Sequence, residues 1–310
     1  MSLTLVEAAK LAQGRNEVLK SAVIELYARS SGILERLPFT NIQGNAMKYN
    51  REETLPGVGF RGVNGSYTES TGIINPVTEV LTIAGGDLDV DKFIVDTMGE
   101  NQRSAQEAMK IKALSLRWTK EFIKGDNETD PKVFSGLQSR ISGNQVISAG
   151  SASGGSPLPL EKLDELIDEV SNPTALIMNK TMRRKLTVAA RNPNVGGYIT
   201  YDKDSFGRPV MQYNDLPIII ADEDNEGNDI LGFTESATGG GSTATSIYCV
   251  SMGAGGVEGI QNGDIDPRDL GELEAKPAMR TRVEWYSGFA IYSGKAAARL
   301  KDISNAAITV

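Results

Sequence analysis

The stretch from Thr40 to Ile83 limits what this chain can become more than any other part of it. Strand-like runs, Ala46-Met47-Lys48-Tyr49-Asn50 and Ile73 to Leu81, flank a tip that carries Gly57, Gly59, Gly62, Gly65 and Gly72. The pattern predicts a two-stranded ribbon with almost no interior of its own. Such a ribbon is marginal in water, and an excursion this long without its own packing usually serves a purpose. Another copy of the chain is the natural surface for it.

Around the ribbon lie helical segments. Residues 3–30 place Leu5, Ala8, Ala9, Leu11, Ala12, Val18, Leu19, Ala22, Val23 and Leu26 at helical spacings, with a break expected at Gly14. Few neighbouring elements are available in sequence to cover that stripe, so contact with adjoining subunits is expected at least as much as a core position. Asp87 to Asp96 reads as a capped turn or short helix halted near Gly99. Residues 101–124 carry a broad apolar stripe, including Ile111, Leu114, Trp118 and Phe122, and predict a helix about 36 Å long that stops at Gly125-Asp126-Asn127.

Beyond a low-complexity connection at 148–156, an acidic amphipathic helix (Leu160 to Val170) precedes the apolar run Thr174 to Met178. Asn179 is placed to cap a helix over 180–190, and Pro217 to Ala221 is a second buried strand. Helices alternating with buried strands imply an α/β unit over residues 135–250. Arg280 to Leu300 predicts a long strand kinked at Gly288, followed by a helical or extended tail.

The 310-residue chain has 40% apolar residues, enough for a real core, and no run long enough to span a membrane. Met1-Ser2-Leu3-Thr4-Leu5 lacks the pattern of a signal peptide, so synthesis in the cytoplasm is expected. It contains no histidine, which removes the commonest general base and metal ligand and every nucleophile paired with imidazole. Most hydrolase and zinc chemistries are thereby excluded. Cys249, the single cysteine, allows no intrachain disulfide and reads as a buried, inert hydrophobe. A net charge of −8 argues against a surface devoted to gripping nucleic acid.

Motifs that hint at chemistry have simpler explanations. Gly253-Ala254-Gly255-Gly256-Val257-Glu258-Gly259 lacks the third glycine of a dinucleotide loop, and Asn262, Gly263 and Pro267 deny it the following helix. Asp222 to Asp229 alternates carboxylates like the start of a calcium loop, yet Phe233 stands at the twelfth position. An acidic turn is expected there, with at most a chance cation at a subunit junction. Lys180, Arg183, Arg184, Lys185 and Arg191 suit a solvated helix face better than a nucleic-acid site. Asp164, Glu165, Asp168 and Glu169 lie on a polar helix face with nothing to separate their pKa values. No catalytic, cofactor or metal residues are assigned, and an α/β enzyme built on Asp222 and Asp224 is disfavoured.

The order of elements, together with Gly86-Asp87-Leu88-Asp89-Val90-Asp91-Lys92-Phe93, Phe122-Ile123-Lys124-Gly125-Asp126, Phe206-Gly207-Arg208-Pro209-Val210 with Asp215-Leu216-Pro217-Ile218-Ile219, and Arg282 to Ile291, resembles the major capsid proteins of tailed bacteriophages with the Hong Kong 97-type fold. The likeness runs over nearly the whole chain. It implies an α+β fold with an N-arm (1–40), an extended hairpin or E-loop (41–86), a peripheral domain (87–134 and 252–310) built on a spine helix, and an α/β axial domain (135–251).

It further implies a virion protein that assembles with itself into pentamers and hexamers, closing an icosahedral shell around double-stranded DNA. A portal and a separate scaffolding protein are expected partners, the latter because Met1 directly precedes the arm helix. Tyr49, Arg51, Glu52, Glu53, Phe60, Arg61, Tyr67, Arg103, Lys110 and Arg117 are then the expected intersubunit residues. Lys48, the single lysine between 41 and 86, lies in a predicted strand and not the tip, so a noncovalent shell is expected. An encapsulin-like compartment that loads cargo enzymes is the alternative with the same fold.

Overall fold

A computed structural model describes residues 3–14, 22–26, 31–54, 56–98, 100–192 and 196–309. Two sheets, a free ribbon and one long helix organise them. In the six-stranded sheet, Leu3–Thr4, Pro38–Asn41, Val257–Gln261, Ala278–Ile291 and Asp266–Glu272 are successive neighbours, and Thr82–Asp91 also pairs with Ala278–Ile291. The 14-residue strand Ala278–Ile291 is its axis. It runs unbroken through Gly288, which stays in register with Ile260.

The helix Glu100–Lys124 lies against this sheet through Ile111, Trp118, Phe122 and Ile123, all buried. Trp118 stacks on Phe122 with ring centroids 5.4 Å apart, and Phe39 approaches both Trp118 and Trp285. Each indole N–H finds an acceptor, Ser287 Oγ for Trp118 and Gln261 Oε1 for Trp285, both at 3.0 Å. Buried tryptophan is tolerated only where its N–H is satisfied. The helix ends at Lys124, and only glycine fits at 125, where a Cβ would collide with the carbonyls of Glu121 and Phe134.

The seven-stranded sheet has the order Val146–Ser148, Ala297–Ser304, Ala244–Val250, Ala175–Met178, Leu216–Ile220, Pro209–Tyr213, Ile199–Lys203. Strand alternation divides its side chains between two cores. Leu176, Met178, Ile247 and Cys249 face the helices Leu160–Asp168 and Lys180–Ala189. Ala175, Ile177, Tyr248 and Val250 join the core around the spine helix. Asn179 Oδ1 accepts from the Met182 N–H at 2.7 Å, the cap the sequence predicts. Ala297–Ser304, which falls in the 252–310 stretch expected as peripheral domain, hydrogen-bonds into this sheet on both sides.

One open reading is decided here and one local expectation is corrected. The leading segment was open to a core position or to a neighbour's surface, and its described residues take the first: Leu5, Ala9, Val23 and Ile24 are buried with Trp118, Phe39 and Ile291 of the same chain. Trp118 and Ile291 lie about 95 to 285 residues away in sequence, which local reading cannot see. Asp87 to Asp91 is strand, not turn, and the helix begins only at Lys92. Asp87 and Asp89 pair across the ladder with Arg282 and Arg280, at 2.6 Å each, so the alternating acids mark a strand face.

Candidate assembly interface

Strands Ala46–Thr54 and Ile73–Val80 form the ribbon, in antiparallel register from Ala46 opposite Val80 to Thr54 opposite Ile73. Its far end has no cover within the subunit: every residue from 56 to 72 is exposed. Val58, Phe60 and Val63 are 93%, 107% and 96% exposed. The tip is nevertheless shaped by local bonds. Ser70 Oγ donates to the Gly57 carbonyl at 2.8 Å, Arg61 donates to the Gly65 carbonyl at 3.2 Å, and the Arg61 guanidinium sits 5.2 Å from the Tyr67 ring centre.

The near end is anchored. Tyr49 Oη donates to the Ile291 carbonyl at 3.0 Å and lies 3.2 Å from Glu79, while its ring meets Tyr292 edge-on at 4.8 Å. Burial, reinforced by the Glu79 charge, pushes the Tyr49 phenol up to about 12. Arg140 donates to Glu79 at 2.9 Å and to the Phe289 carbonyl at 3.1 Å, with its guanidinium 4.4 Å from the Phe289 ring centre. The ribbon is thus rooted at its base and bare at its end.

The ten expected interface residues divide accordingly. Phe60, Arg61 and Tyr67 stand on the bare tip. Tyr49 serves the root, and Arg51 approaches Gly294 of its own chain. The side chains of Glu52 and Glu53 lie outside the described residues. Arg103 is buried and committed within the subunit, to Glu107, Asp269 and Thr281, where the Asp269 and Thr281 contacts are 2.8 Å. Lys110 leans over Gly86, and Arg117, exposed on the spine, pairs with Glu121 at 2.7 Å. Sequence reasoning missed the root residues Glu79 and Arg140, which no local motif announces.

Beside the root, a groove of about 680 Å³ runs between residues 78–83 and the loop 131–135. A smaller one of about 210 Å³ continues it over Leu114 and Trp118 of the spine helix. Ile83 and Val80, on its rim, are exposed.

The remaining candidate chemistries resolve structurally. The glycine loop at 253–256 turns into the strand Val257–Gln261, with no helix behind it. Asp224 is buried; it accepts from Lys120 at 2.7 Å and from the amides of Glu226 and Asn228 at 2.9 Å, closing the acidic turn. Burial opposes its charge, but these donors win and lower its pKa to about 2. The carboxylates of Asp222, Glu223 and Asp229 lie within 4.8 Å of one another, and Asp222 pairs with Lys180. Asp164 accepts from Tyr213 at 2.8 Å and Glu165 pairs with Lys162, which are structural roles. Cys249 is fully buried, and burial raises its thiol to about 12. Among the described residues, no helix is long and apolar enough to cross a membrane.

Residues 15–156 match the family model described as Major capsid protein GP7. No curated protein matches the chain. Among solved structures, the SrpI encapsulin of Synechococcus elongatus is similar with a TM-score of 0.64 and 17% identity, over 90% of this chain and 89% of that one. The capsid of a native GTA particle is similar at 0.61 and 15% identity, over 89% and 91%. A chain of Mycobacterium phage Bobi is similar at 0.60 and 13% identity, over 87% and 89%. The chain therefore has the Hong Kong 97-type fold of shell-forming proteins. With the match to the capsid family model over residues 15–156, the resemblance to tailed-phage major capsid proteins holds in that segment and, over the rest of the chain, in fold.

Proposed function

We propose that this chain is the major shell subunit of a phage head, forming pentamers and hexamers that close an icosahedral capsid around packaged double-stranded DNA. The observation that carries the proposal is the bare ribbon tip, with Val58, Phe60 and Val63 in full contact with water on an otherwise well-cored subunit. Exposed apolar side chains gathered on one projection mark an association surface. The tip of one subunit lies in the root groove and over the spine helix of the next, so that closed symmetry covers every tip. Residues 1–40 serve as N-arm, 41–86 as E-loop, 87–134 with most of 252–310 as peripheral domain, and 135–251 as axial domain, the last sharing its sheet with Ala297–Ser304.

A scaffolding protein and a portal are the further partners this function requires, and the assembled protein resides in the virion after synthesis in the host cytoplasm. Negative-stain microscopy of the purified chain, with scaffold supplied if needed, should show capsomers or closed particles. A persistently monomeric, folded protein would overturn the proposal. The likeness to an encapsulin favours one second reading, a compartment holding protein cargo. Nuclease-protected DNA in purified particles selects the phage head; a copurifying enzyme selects the compartment.

A further inference from the structure

A cavity of about 360 Å³ opens between the helix Gly32–Arg36, the helix Lys180–Ala189 and the hairpin of strands Ile199–Lys203 and Pro209–Tyr213. Three arginines line it: Arg36, Arg183 and Arg208. Its two acids are already engaged. Glu35 accepts from the Ser205 N–H at 2.9 Å and from Arg208 at 3.4 Å. Asp204 accepts from the Arg208 N–H at 2.7 Å and from Arg208 Nε at 2.6 Å. Arg208 is thereby neutralised by two carboxylates.

Arg36 and Arg183 are different. Neither has an ion-pair partner among the described residues, and Arg183 Nε is buried without an acceptor. A buried donor without an acceptor costs stability unless something supplies an oxygen. The cavity therefore combines engaged carboxylates with one buried unsatisfied donor and a second guanidinium without a counter-charge, which repels cations and invites an anion. Buried Ile218 and Ile219 form the apolar part of its wall. A second cavity of about 550 Å³ shares Glu35 and Arg36 with it, leaving Arg36 accessible from both.

We propose that this cavity is an oxyanion site that takes a phosphate group between the guanidiniums of Arg36 and Arg183. Planar guanidinium forks match phosphate oxygens in pairs, and a tetrahedral phosphate offers oxygens to two forks at once where a carboxylate fills only one. The phosphate is either free or part of a nucleic-acid backbone, since both present the same oxygens. The site was legible in sequence only as half of a basic run on the helix 180–190; Arg36 joins it through the fold. The inference stands independently of the shell function.

The test is a titration of inorganic phosphate into the full-length protein at constant ionic strength, followed by calorimetry and 31P NMR. Saturable binding of one phosphate per chain is expected, weakened at least tenfold in R36Q/R183Q and unchanged in R191Q, whose exposed arginine lies outside the cavity. Acetate at the same ionic strength should not displace the phosphate. Should the double variant fail to fold, R183K keeps the charge, loses the fork, and should still weaken binding severalfold. Absence of saturable binding, equal affinity in R36Q/R183Q or R183K, or displacement by acetate would each overturn the site. Displacement by a short oligothymidylate supports the site with a backbone phosphodiester as the natural source. Phosphate that an oligothymidylate leaves in place supports it with a free phosphate.

Discussion

Replacing Phe60 by serine separates assembly from folding. The side chain is fully exposed, and no described hydrogen bond or ring contact involves it, so the subunit has nothing to lose. Surface changes of this kind fall within about 0.5 kcal/mol of neutral. Under the proposed docking the ring is buried against a neighbour, and full burial of a phenylalanine side chain stabilises by about 1.5–3 kcal/mol. Taking about 2 kcal/mol for each joint, the concentration at which particles form should rise about 30-fold. The assay pairs denaturant unfolding of the dispersed subunit with light scattering of assembly over a concentration series. Deleting 55–72 should carry the effect to its limit, giving a soluble, folded subunit whose particles are absent or fragile. An unchanged assembly threshold in Phe60→Ser, or a clear loss of subunit stability, would refute the reasoning.

Three other perturbations address the fold that presents the tip. Arg140→Ala strips the root of a bidentate partner for Glu79 and should cost about 2 kcal/mol, as for other hydrogen bonds to charged groups, with faster hydrogen exchange at residues 46–50 and 77–80; unchanged exchange there would show that the root is held by other contacts. Gly259→Ala would drive a Cβ into the Phe39 ring and should destabilise by about 1–3 kcal/mol, read as a lower denaturation midpoint. Because Asp224 titrates near 2 when folded and at 3.8 ordinarily, its ion pair with Lys120 stabilises fully above about pH 4 and is lost as pH falls toward 2. Asp224→Asn should flatten that part of the stability profile between pH 4 and pH 2, and an unaltered acid limb would count against the pairing.

Legibility followed the range of the interactions. The spine helix was readable because Ile111, Leu114, Trp118 and Phe122 repeat at a helical period, and the helix Lys180–Ala189 because Asn179 caps it through a bond spanning three residues. The acidic turn was equally local, closed by Asp224 on amides two and four residues ahead. Asp87 to Asp91 misled because acids beside glycines suggest a turn, whereas their partners Arg280 and Arg282 lie about 190 residues away.

By itself, the sequence determined the absence of imidazole chemistry, the ribbon with its glycine-rich tip, the long helix and the α/β unit, since each follows from composition or from period. Only the tertiary structure decided that Leu5 and Ala9 of the leading helix are buried within their own chain, that the strand Ala297–Ser304 enters the second sheet, and that Arg140 roots the ribbon through Glu79. Those depend on burial and pairing between residues far apart in the chain, where no local pattern records which surfaces will meet.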